Sequence, residues 1–366
     1  MDDVLIIGGG VIGLSLAWDL AKHGCRVHVV DQGEPGREAS WAGAGILPAA
    51  KANASQHPYE QLRGLACRLH PQWAAELKDR TGIDTGYRRC GGLHLARTAG
   101  EAAALAGWAG LLHEEGIEVE RLSTAEVGEI EPGLHMKAIT AAFHVPRESQ
   151  LRNPWHLGAL AKACELAGAT ITPRALVTDA IVLHDQCDRL QTSLGPLQAK
   201  QYCFTAGAWT GQLLSRLGFS TGILPVRGQM VLFHRERPPV TRIINEGSRY
   251  LVPRDDGRVL AGSTEEEVGF DKRTTEEAIG DLTDFALNLV PALREAAIEL
   301  TWAGLRPGSF DGLPYLGRLP GIGNAYVAAG HFRSGLFLST ATAIVMSQLL
   351  RGQRPEVDLA PFRVGR

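Results

Sequence analysis

The sequence predicts an α/β protein with a Rossmann-like dinucleotide-binding domain that is interrupted by a second, mixed-sheet domain. Three observations support this prediction. The chain opens with an apolar strand at 4–7, a Gly-x-Gly-x-x-Gly turn at 8–13 and a helix. A second strand at 26–30 ends in Asp31. An apolar strand at 325–329, a glycine turn and an apolar helix at 335–350 repeat this order at the other end of the chain.

The opening turn has the residues that a bound pyrophosphate requires. Gly8 permits a tight turn, Gly10 lets a phosphate approach the backbone, and Gly13 lets the helix pack closely on the strand. The helix N-terminus adds free N–H groups and a partial positive charge. Asp31 is placed to accept hydrogen bonds from a ribose 2′-hydroxyl and would repel a 2′-phosphate. The pattern therefore favours FAD or NAD over NADP.

The composition is that of an ordinary globular protein, long enough for two domains. Its 366 residues carry a net charge of −3, and the Arg residues are scattered, so no nucleic-acid partner is expected. No apolar run reaches the roughly 18 residues of a membrane span. Asp2 and Asp3 stand where a signal peptide would be basic. The six cysteines lack CxxC and metal-ligand spacing, which predicts free thiols, no metal site and a cytoplasmic location.

The residues between the two ends predict further helices and strands. Helices are expected at 56–80, 98–115, 123–132, 154–167 and 276–290. Strands are expected at 175–182, at 202–206 and through much of 223–262. Gly91 and Gly92, which lead into 93–95, predict a hairpin between the helices at 56–80 and 98–115.

Two glycine-rich segments suggest further contacts to the cofactor. In 40–45, Ser-Trp-Ala-Gly-Ala-Gly, a helix beginning near Ser40 would direct more N–H groups at an anionic ligand. A plain capped helix explains the same composition equally well. The other segment is 330–335, Gly-His-Phe-Arg-Ser-Gly, which precedes the last helix.

With these two segments, the chain resembles the FAD-dependent D-amino-acid oxidase (DAO) superfamily, and within it the branch that oxidises glycine in the thiamine pathway. The resemblance extends from end to end, and its most specific stretches are 37–45, 250–254, 302–308, 311–317 and 329–335. It implies a discontinuous GR2-type FAD-binding domain formed by 1–87, 146–218 and 306–366. A substrate-binding domain of α+β type would be formed by 88–145 and 219–305.

The resemblance also implies which residues hold FAD. The adenosine would lie on the first βαβ unit, with the backbone of Val177 beside the adenine. The 40–45 segment would line the pyrophosphate and ribityl chain, and the 330–335 turn would lie against the pyrimidine edge of the flavin. The expected cofactor-binding residues are Gly8, Gly10, Val11, Ile12, Gly13, Asp31, Ser40, Ala42, Gly43, Gly45, Val177, Gly207, Gly330, His331, Phe332, Arg333, Ser334 and Gly335. Some relatives attach the flavin through a cysteine in the segment that corresponds to 304–308, which has none here, so non-covalent FAD is expected.

Three residues are expected, from the resemblance, to hold the substrate. Arg306 would bind a carboxylate bidentately, Tyr250 would donate its hydroxyl to the second carboxylate oxygen, and Arg333 would close the site. Relatives can carry a histidine where this chain has Ser248, and Arg249 adds a charge beside the expected site. Both residues bear on the substrate preference.

The implied activity is oxidative deamination of glycine and other small amines or D-amino acids. A hydride passes from Cα to flavin N5, the imine is hydrolysed to a 2-oxo acid and ammonia, and O2 is reduced to H2O2. The alternatives are a D-amino-acid or sarcosine oxidase or dehydrogenase of the same family and, in another class, an NAD-dependent dehydrogenase. The expected partners are the amino acid, O2 and, by resemblance, further copies of the chain in a tetramer.

Overall fold

A computed structural model of the chain describes residues 1–51, 57–137 and 139–366. The helices are α1 (Val11–Lys22), α2 (Ala39–Ala42), α3 (Pro58–Thr81), α4 (Ala99–Glu114), α5 (Thr124–Ile130), α6 (Asn153–Leu166), α7 (Thr210–Ser215), α8 (Glu276–Leu289) and α9 (Gly335–Leu350). The strands are β1 (Asp2–Ile7), β2 (Val27–Val30), β3 (Ile46–Leu47), β4 (Arg88–Arg89), β5 (Gly92–Ala96), β6 (Glu120–Leu122), β7 (Ala141–Val145), β8 (Ser149–Gln150), β9 (Thr170–Thr172), β10 (Val177–Leu183), β11 (Gln186–Thr192), β12 (Gly195–Leu197), β13 (Ala199–Phe204), β14 (Leu224–His234), β15 (Ile243–Glu246), β16 (Arg249–Pro253), β17 (Arg258–Gly262), β18 (Ala297–Gly308), β19 (Tyr315–Arg318) and β20 (Ala325–Ala329).

A six-stranded sheet carries the predicted Rossmann-like unit. Its strand order is β19-β20-β13-β1-β2-β9, and neighbouring strands are parallel except for β19 and β20. Every residue of β20 and the last four residues of β1 are buried, as is usual for parallel strands that are covered on both faces. Because β1 and β20 pair with the same strand, β13, the two ends of the sequence form one sheet. The predicted α/β class is confirmed.

Helices cover one face of this sheet, and an antiparallel meander contributes to the core on the other. Helix α1 packs against α6 and α9, and α3 packs against α6 and α9. Trp18 and Trp73 meet edge to face between α1 and α3, with ring centroids 4.7 Å apart. Strands β10, β11 and β12 form the meander and share a hydrophobic cluster with β1 and β13.

An eight-stranded sheet forms the second half of the molecule. Its order is β18-β14-β17-β16-β15-β5-β7-β6, with β15 and β5 as its parallel pair. Helix α8 buries Leu282, Phe285 and Leu289 against this sheet. A different cluster joins Met230, Ile243, Val252 and Leu260 of the sheet to Ala44 of the 40–45 segment. The second sheet therefore contacts the segment that was expected to hold the cofactor.

The predicted hairpin at 91–95 is wrong. Strand β4 lies with β3 and β8 in a small sheet, whereas β5 lies in the eight-stranded sheet between β15 and β7. Gly91, at φ 73°, redirects the chain between the two sheets. Of the predicted helix at 56–80, α3 accounts for the part from Pro58, and residue 56 lies outside the described residues.

The division into two domains at 87/88, 145/146, 218/219 and 305/306 stays a proposal. Strand β18 continues to Gly308 in the eight-stranded sheet, so the last of these boundaries falls inside a strand.

In residues 1–51, 57–137 and 139–366, no helix combines the length and apolarity needed to cross a membrane. The same part of the chain contains no group of His, Cys, Asp and Glu side chains that could hold a metal ion. All six cysteines are free thiols.

Candidate functional site

A cavity of about 450 Å³ extends from the first βαβ unit to strands β16 and β18. It brings together nearly all the residues that were selected from the sequence. Those that line it are Gly8, Gly10, Val11, Ile12, Asp31, Ser40, Ala42, Gly43, Gly45, Val177, Gly207, Tyr250, Arg306, His331, Phe332, Arg333, Ser334 and Gly335. Gly13 and Gly330 are outside this lining and contribute through the shape of their turns.

The opening glycine turn is tight enough to exclude side chains. A Cβ at Gly8, which has φ 112°, would lie 2.6 Å from the carbonyl oxygen of Thr205, and a Cβ at Gly13 would clash with the carbonyl oxygen of Gly8. Helix α1 begins after Gly10 without a side-chain cap on that residue, and the Val11 N–H donates to Ser40 Oγ at 2.9 Å. The cavity therefore meets a helix N-terminus with closely approachable backbone, which suits a pyrophosphate.

Asp31 holds the turn in addition to lining the cavity. Its Oδ2 accepts from the Gly9 N–H at 2.7 Å, and its Oδ1 accepts from the Gly33 N–H at 2.8 Å. Each carboxylate oxygen has further acceptor capacity. Asp31 can thus accept from a ribose hydroxyl without giving up these backbone hydrogen bonds.

The 40–45 segment is fixed by three side chains that sequence reasoning missed. Asn153 Nδ2 donates to the Ser40 carbonyl at 2.7 Å, Trp302 Nε1 to the Ala42 carbonyl at 3.0 Å, and Arg254 Nη2 to the Ala44 carbonyl at 2.7 Å. The segment forms only the four-residue helix α2 before it turns into β3. Because these three donors lie far away along the chain, no local pattern could have revealed them.

The turn at 330–335 is built around a buried histidine. His331 Nε2 lies 3.1 Å from Thr342 Oγ1 of α9, and burial lowers the pKa of His331 to about 3. The ring is therefore neutral at physiological pH and links the turn to the helix. His331 therefore has a structural role in this turn.

Arg306 projects from β18 across strand β14. Its guanidinium lies over Gly228, where a Cβ would clash with it. It donates to Ser263 Oγ at 2.6 Å and to the carbonyl oxygen of Thr264 at 3.0 Å. Burial lowers the pKa of Arg306, while the nearby Tyr250 acts to raise it. Among the described residues Arg306 has no carboxylate partner, so this desolvated cation can take an anion.

Tyr250 lies on the same face of the eight-stranded sheet as the guanidinium of Arg306, and both line the cavity. A Cβ at Gly262 would be 2.6 Å from the Tyr250 ring and 2.7 Å from the Met230 sulfur, so this glycine makes room for both side chains. The Tyr250 hydroxyl has Met230 Sδ at 3.6 Å, a weak acceptor, and remains able to donate to a ligand.

Arg333 lines the cavity from the other wall and is more exposed than Arg306. Its Nη1 lies 3.6 Å from Glu265 Oε2, and its Nη2 is 3.5 Å from the carbonyl oxygen of Ser248. The structure thus brings Arg306, Tyr250 and Arg333 to one cavity, and Ser248 contacts Arg333 through its carbonyl oxygen.

The expectation for Arg249 is wrong. Alternation along β16 directs Tyr250 to the cavity and Arg249 to the opposite face. There the Arg249 guanidinium lies 4.4 Å from the centre of the Phe285 ring and 3.4 Å from Glu246 Oε1. Its charge does not enter the site.

The cavity fits an elongated dinucleotide such as FAD. Backbone approach is close at the glycine turn, and at Gly45 a Cβ would clash with the Leu151 carbonyl oxygen. Asn153 Oδ1 is buried, and none of the described residues donates to it, although Asn153 lines the cavity. It can accept from a hydroxyl of the ligand. At the other end, Arg306 and Tyr250 leave polar groups for a second, anionic ligand.

Comparisons with known proteins agree over the full length of the chain. A family model described as FAD dependent oxidoreductase (DAO) matches residues 3–349. The chain is 35% identical over 370 residues to a glycine oxidase of Geobacillus kaustophilus, covering 100% of this chain and 97% of that protein. It is 29% identical over 380 residues to the bifunctional protein ThiO/ThiG of Trichormus variabilis, covering 100% of this chain and 55% of that protein. The crystal structure of glycine oxidase from Geobacillus kaustophilus has a TM-score of 0.95 to this chain at 34% identity, covering 100% and 98% of the two chains.

Proposed function

This chain belongs to the family of FAD-dependent oxidoreductases whose model matches residues 3–349, and we propose that it oxidises glycine and similarly small amines. The family model and the similar glycine oxidases make this chain a flavin-dependent amino-acid oxidase. Of the two cofactors that the sequence left open, FAD and NAD, the cofactor is therefore FAD. The proposed net reaction converts glycine, O2 and water to glyoxylate, ammonia and H2O2.

The bound FAD supplies a two-electron acceptor for the hydride from the substrate Cα. The residues proposed to hold it are those of the two glycine turns and the 40–45 segment, together with Asp31 and Val177. None of the described residues that line the cavity is a cysteine, which supports non-covalent binding.

The proposal depends on the guanidinium of Arg306, which lies beside Tyr250 and has no carboxylate partner among the described residues. The planar N–H groups of a guanidinium match a carboxylate, and in a desolvated position the attraction is stronger than in water. Tyr250 can donate a further hydrogen bond to the same carboxylate, and Arg333 can close the site from the opposite wall. Two or three fixed contacts to one carboxylate orient a small substrate and set the distance of its Cα from the cofactor.

The proton of the substrate ammonium must leave before the hydride does. His331 is buried, neutral and bonded to Thr342, so it is not proposed as the base. We assign this proton to solvent. The protein's contribution is then to bind and orient the substrate, and its own side chains need not change protonation state during turnover.

Two further proposals rest on the relatives. The similarity to the ThiO/ThiG protein and the sequence resemblance support a role in forming the thiazole part of thiamine. By the same resemblance, the enzyme is proposed to be a cytoplasmic tetramer that uses O2. Light scattering of the purified holoenzyme measures the assembly directly: four chains agree with the proposal, and any other number contradicts it.

Product analysis tests the proposed reaction. The purified enzyme is supplied with glycine in air, and glyoxylate, ammonia and H2O2 are measured against the glycine consumed. Equal amounts of all three support a glycine oxidase. Glyoxylate without H2O2, formed only when a dye or quinone is added, would make the enzyme a dehydrogenase. If the enzyme turns over sarcosine or D-alanine but not glycine, it is a sarcosine or D-amino-acid oxidase and not a glycine oxidase.

A further inference from the structure

Arg306 and Arg333, the two arginines of the proposed substrate site, differ in their partners. Arg306 is held by a hydroxyl and carbonyl groups and has no carboxylate among the described residues. Arg333 faces Glu265, whose Oε2 lies 3.6 Å from Arg333 Nη1. One guanidinium is therefore free to bind an anion, and the other already has one beside it.

Glu265 is close to the substrate anchor as well. It follows Thr264, whose carbonyl oxygen accepts from Arg306. Arg333 lines the cavity, and the side chains of Glu265 and Arg333 are 49% and 45% exposed, so the ion pair is open to solvent. Two positive charges therefore line the cavity where the substrate carboxylate is proposed to bind, and the negative charge of Glu265 lies beside Arg333.

We propose that Glu265 is a specificity-determining residue that restricts the site to amines with a single negative charge. This inference rests on the proposed function. The charge of Arg306 is matched by one substrate carboxylate, and the charge of Arg333 is offset by Glu265. A second carboxylate on the substrate would approach Glu265 as well as Arg333, and repulsion between the like charges opposes its binding.

The size of the effect is set by exposure. An ion pair that is half exposed is worth little by itself, since water and salt screen it. The same screening limits the rejection of a second carboxylate to a modest factor that should decrease at high ionic strength. Discrimination by Glu265 is therefore expected to depend on salt, whereas discrimination by the shape of the pocket would not.

The test compares glycine with iminodiacetate, which is glycine bearing a carboxymethyl group on nitrogen. In Glu265→Gln, kcat/KM for iminodiacetate should rise by about fivefold or more, while that for glycine should change by less than about threefold. The gain should shrink in about 0.5 M salt. Glu267→Gln, which removes an exposed charge two residues away, should leave both values unchanged. Equal changes for both substrates, or no change, would overturn the proposal.

A binding measurement separates this inference from the proposed reaction. Acetate and malonate, with one and two carboxylates, are titrated into the holoenzyme and followed by the change in flavin absorbance. Glu265→Gln should tighten malonate binding relative to acetate, and Arg333→Met in the same protein should abolish that gain. If the variant fails to favour malonate, the proposal fails even where glycine is turned over. If malonate is favoured but glycine is not oxidised, only the proposed function fails.

Discussion

The guanidinium of Arg306 occupies the space in which a side chain at Gly228 would stand. The two residues lie on neighbouring strands, β18 and β14, and a Cβ at residue 228 would clash with the terminal atoms of the guanidinium. Arg306 reaches Ser263 and Thr264 by crossing this gap. The position of the proposed carboxylate anchor thus depends on the absence of a side chain one strand away.

Gly228→Ala should therefore displace the anchor. We expect KM for glycine to rise at least tenfold, about 1.4 kcal/mol of binding, with a smaller loss in kcat and unchanged FAD content. Steady-state kinetics and the flavin absorbance of the purified variant measure these quantities. Gly107→Ala is the matched control, because Gly107 lies in α4 with no atom near the added methyl group. An unaltered KM in Gly228→Ala would contradict this role of the gap.

Glu266 should act on the same anchor from a distance. Its carboxylate accepts from Arg227 Nε at 2.7 Å and from Gln229 Nε2 at 2.9 Å, and the backbones of residues 227 and 266 are bonded to each other in both directions. The Gln229 N–H in turn donates to Thr264 Oγ1 at 3.0 Å. These bonds fix the segment that receives the Arg306 hydrogen bonds, so Glu266 is a positioning residue.

In Glu266→Gln, KM for glycine should rise by about tenfold while kcat stays within about threefold. Asp271→Asn is the control, since Asp271 lies 3.7 Å from Arg227 but does not bond to Gln229 or Thr264. If both variants raise KM equally, the rise is caused by the loss of negative charge near Arg227 in general. If neither raises KM, residues 263–264, which accept the Arg306 hydrogen bonds, keep their position without Glu266.

Gly13→Ala should weaken cofactor binding. The added methyl group would clash with the Gly8 carbonyl and lie 2.7 Å from Thr205 Oγ1, which pushes α1 away from the turn. We expect the dissociation constant for FAD to rise at least tenfold, measured by fluorescence titration of the apoprotein. Gly107→Ala should bind FAD as the parent does and be slightly more stable, because alanine favours a helix. Unchanged FAD affinity in Gly13→Ala would show that the turn tolerates the displacement.

Buried histidines should make the protein sensitive to acid. Burial lowers the pKa values of His70, His156 and His331 to about 4, 3 and 3. Below about pH 6.5 the unfolded chain binds protons that the folded chain does not, so the free energy of unfolding decreases as the pH falls from about 6.5 towards 4. Each histidine contributes up to about 1.4 kcal/mol per pH unit.

His156→Leu tests this dependence, because none of the described residues bonds to either ring nitrogen of His156. Between pH 7 and pH 5, the free energy of unfolding of the His156→Leu holoenzyme should decrease by about 2 kcal/mol less than that of the parent. Denaturant unfolding at the two pH values measures this difference. His113→Gln, at an exposed position in α4, should keep the parent's loss. An equal loss in His156→Leu and the parent would mean that His156 is not the neutral, buried group inferred here.

The sequence revealed the parts of the site that depend on local pattern. The strand, turn and helix around Gly8–Gly13 and the strand before Gly330 have local signatures, and both were placed correctly. The hairpin at Gly91 was not, because strand pairing depends on partners far away in the chain: β5 pairs with β15, about 150 residues later. Asn153, Arg254 and Gly228 were missed for the same reason. Arg249 was misplaced because the register of β16, which decides the face of each side chain, cannot be read from a short segment.

Adding glycine to the holoenzyme in the absence of oxygen, and following the flavin absorbance band, tests both the substrate and its anchor. We expect glycine to bleach the band and the admission of air to restore it. The parallel sample of Arg306→Met should keep its band at the same glycine concentration. A parent band that glycine leaves unchanged would contradict glycine as the substrate, and bleaching in the Arg306 variant at the parent's rate would contradict Arg306 as its anchor.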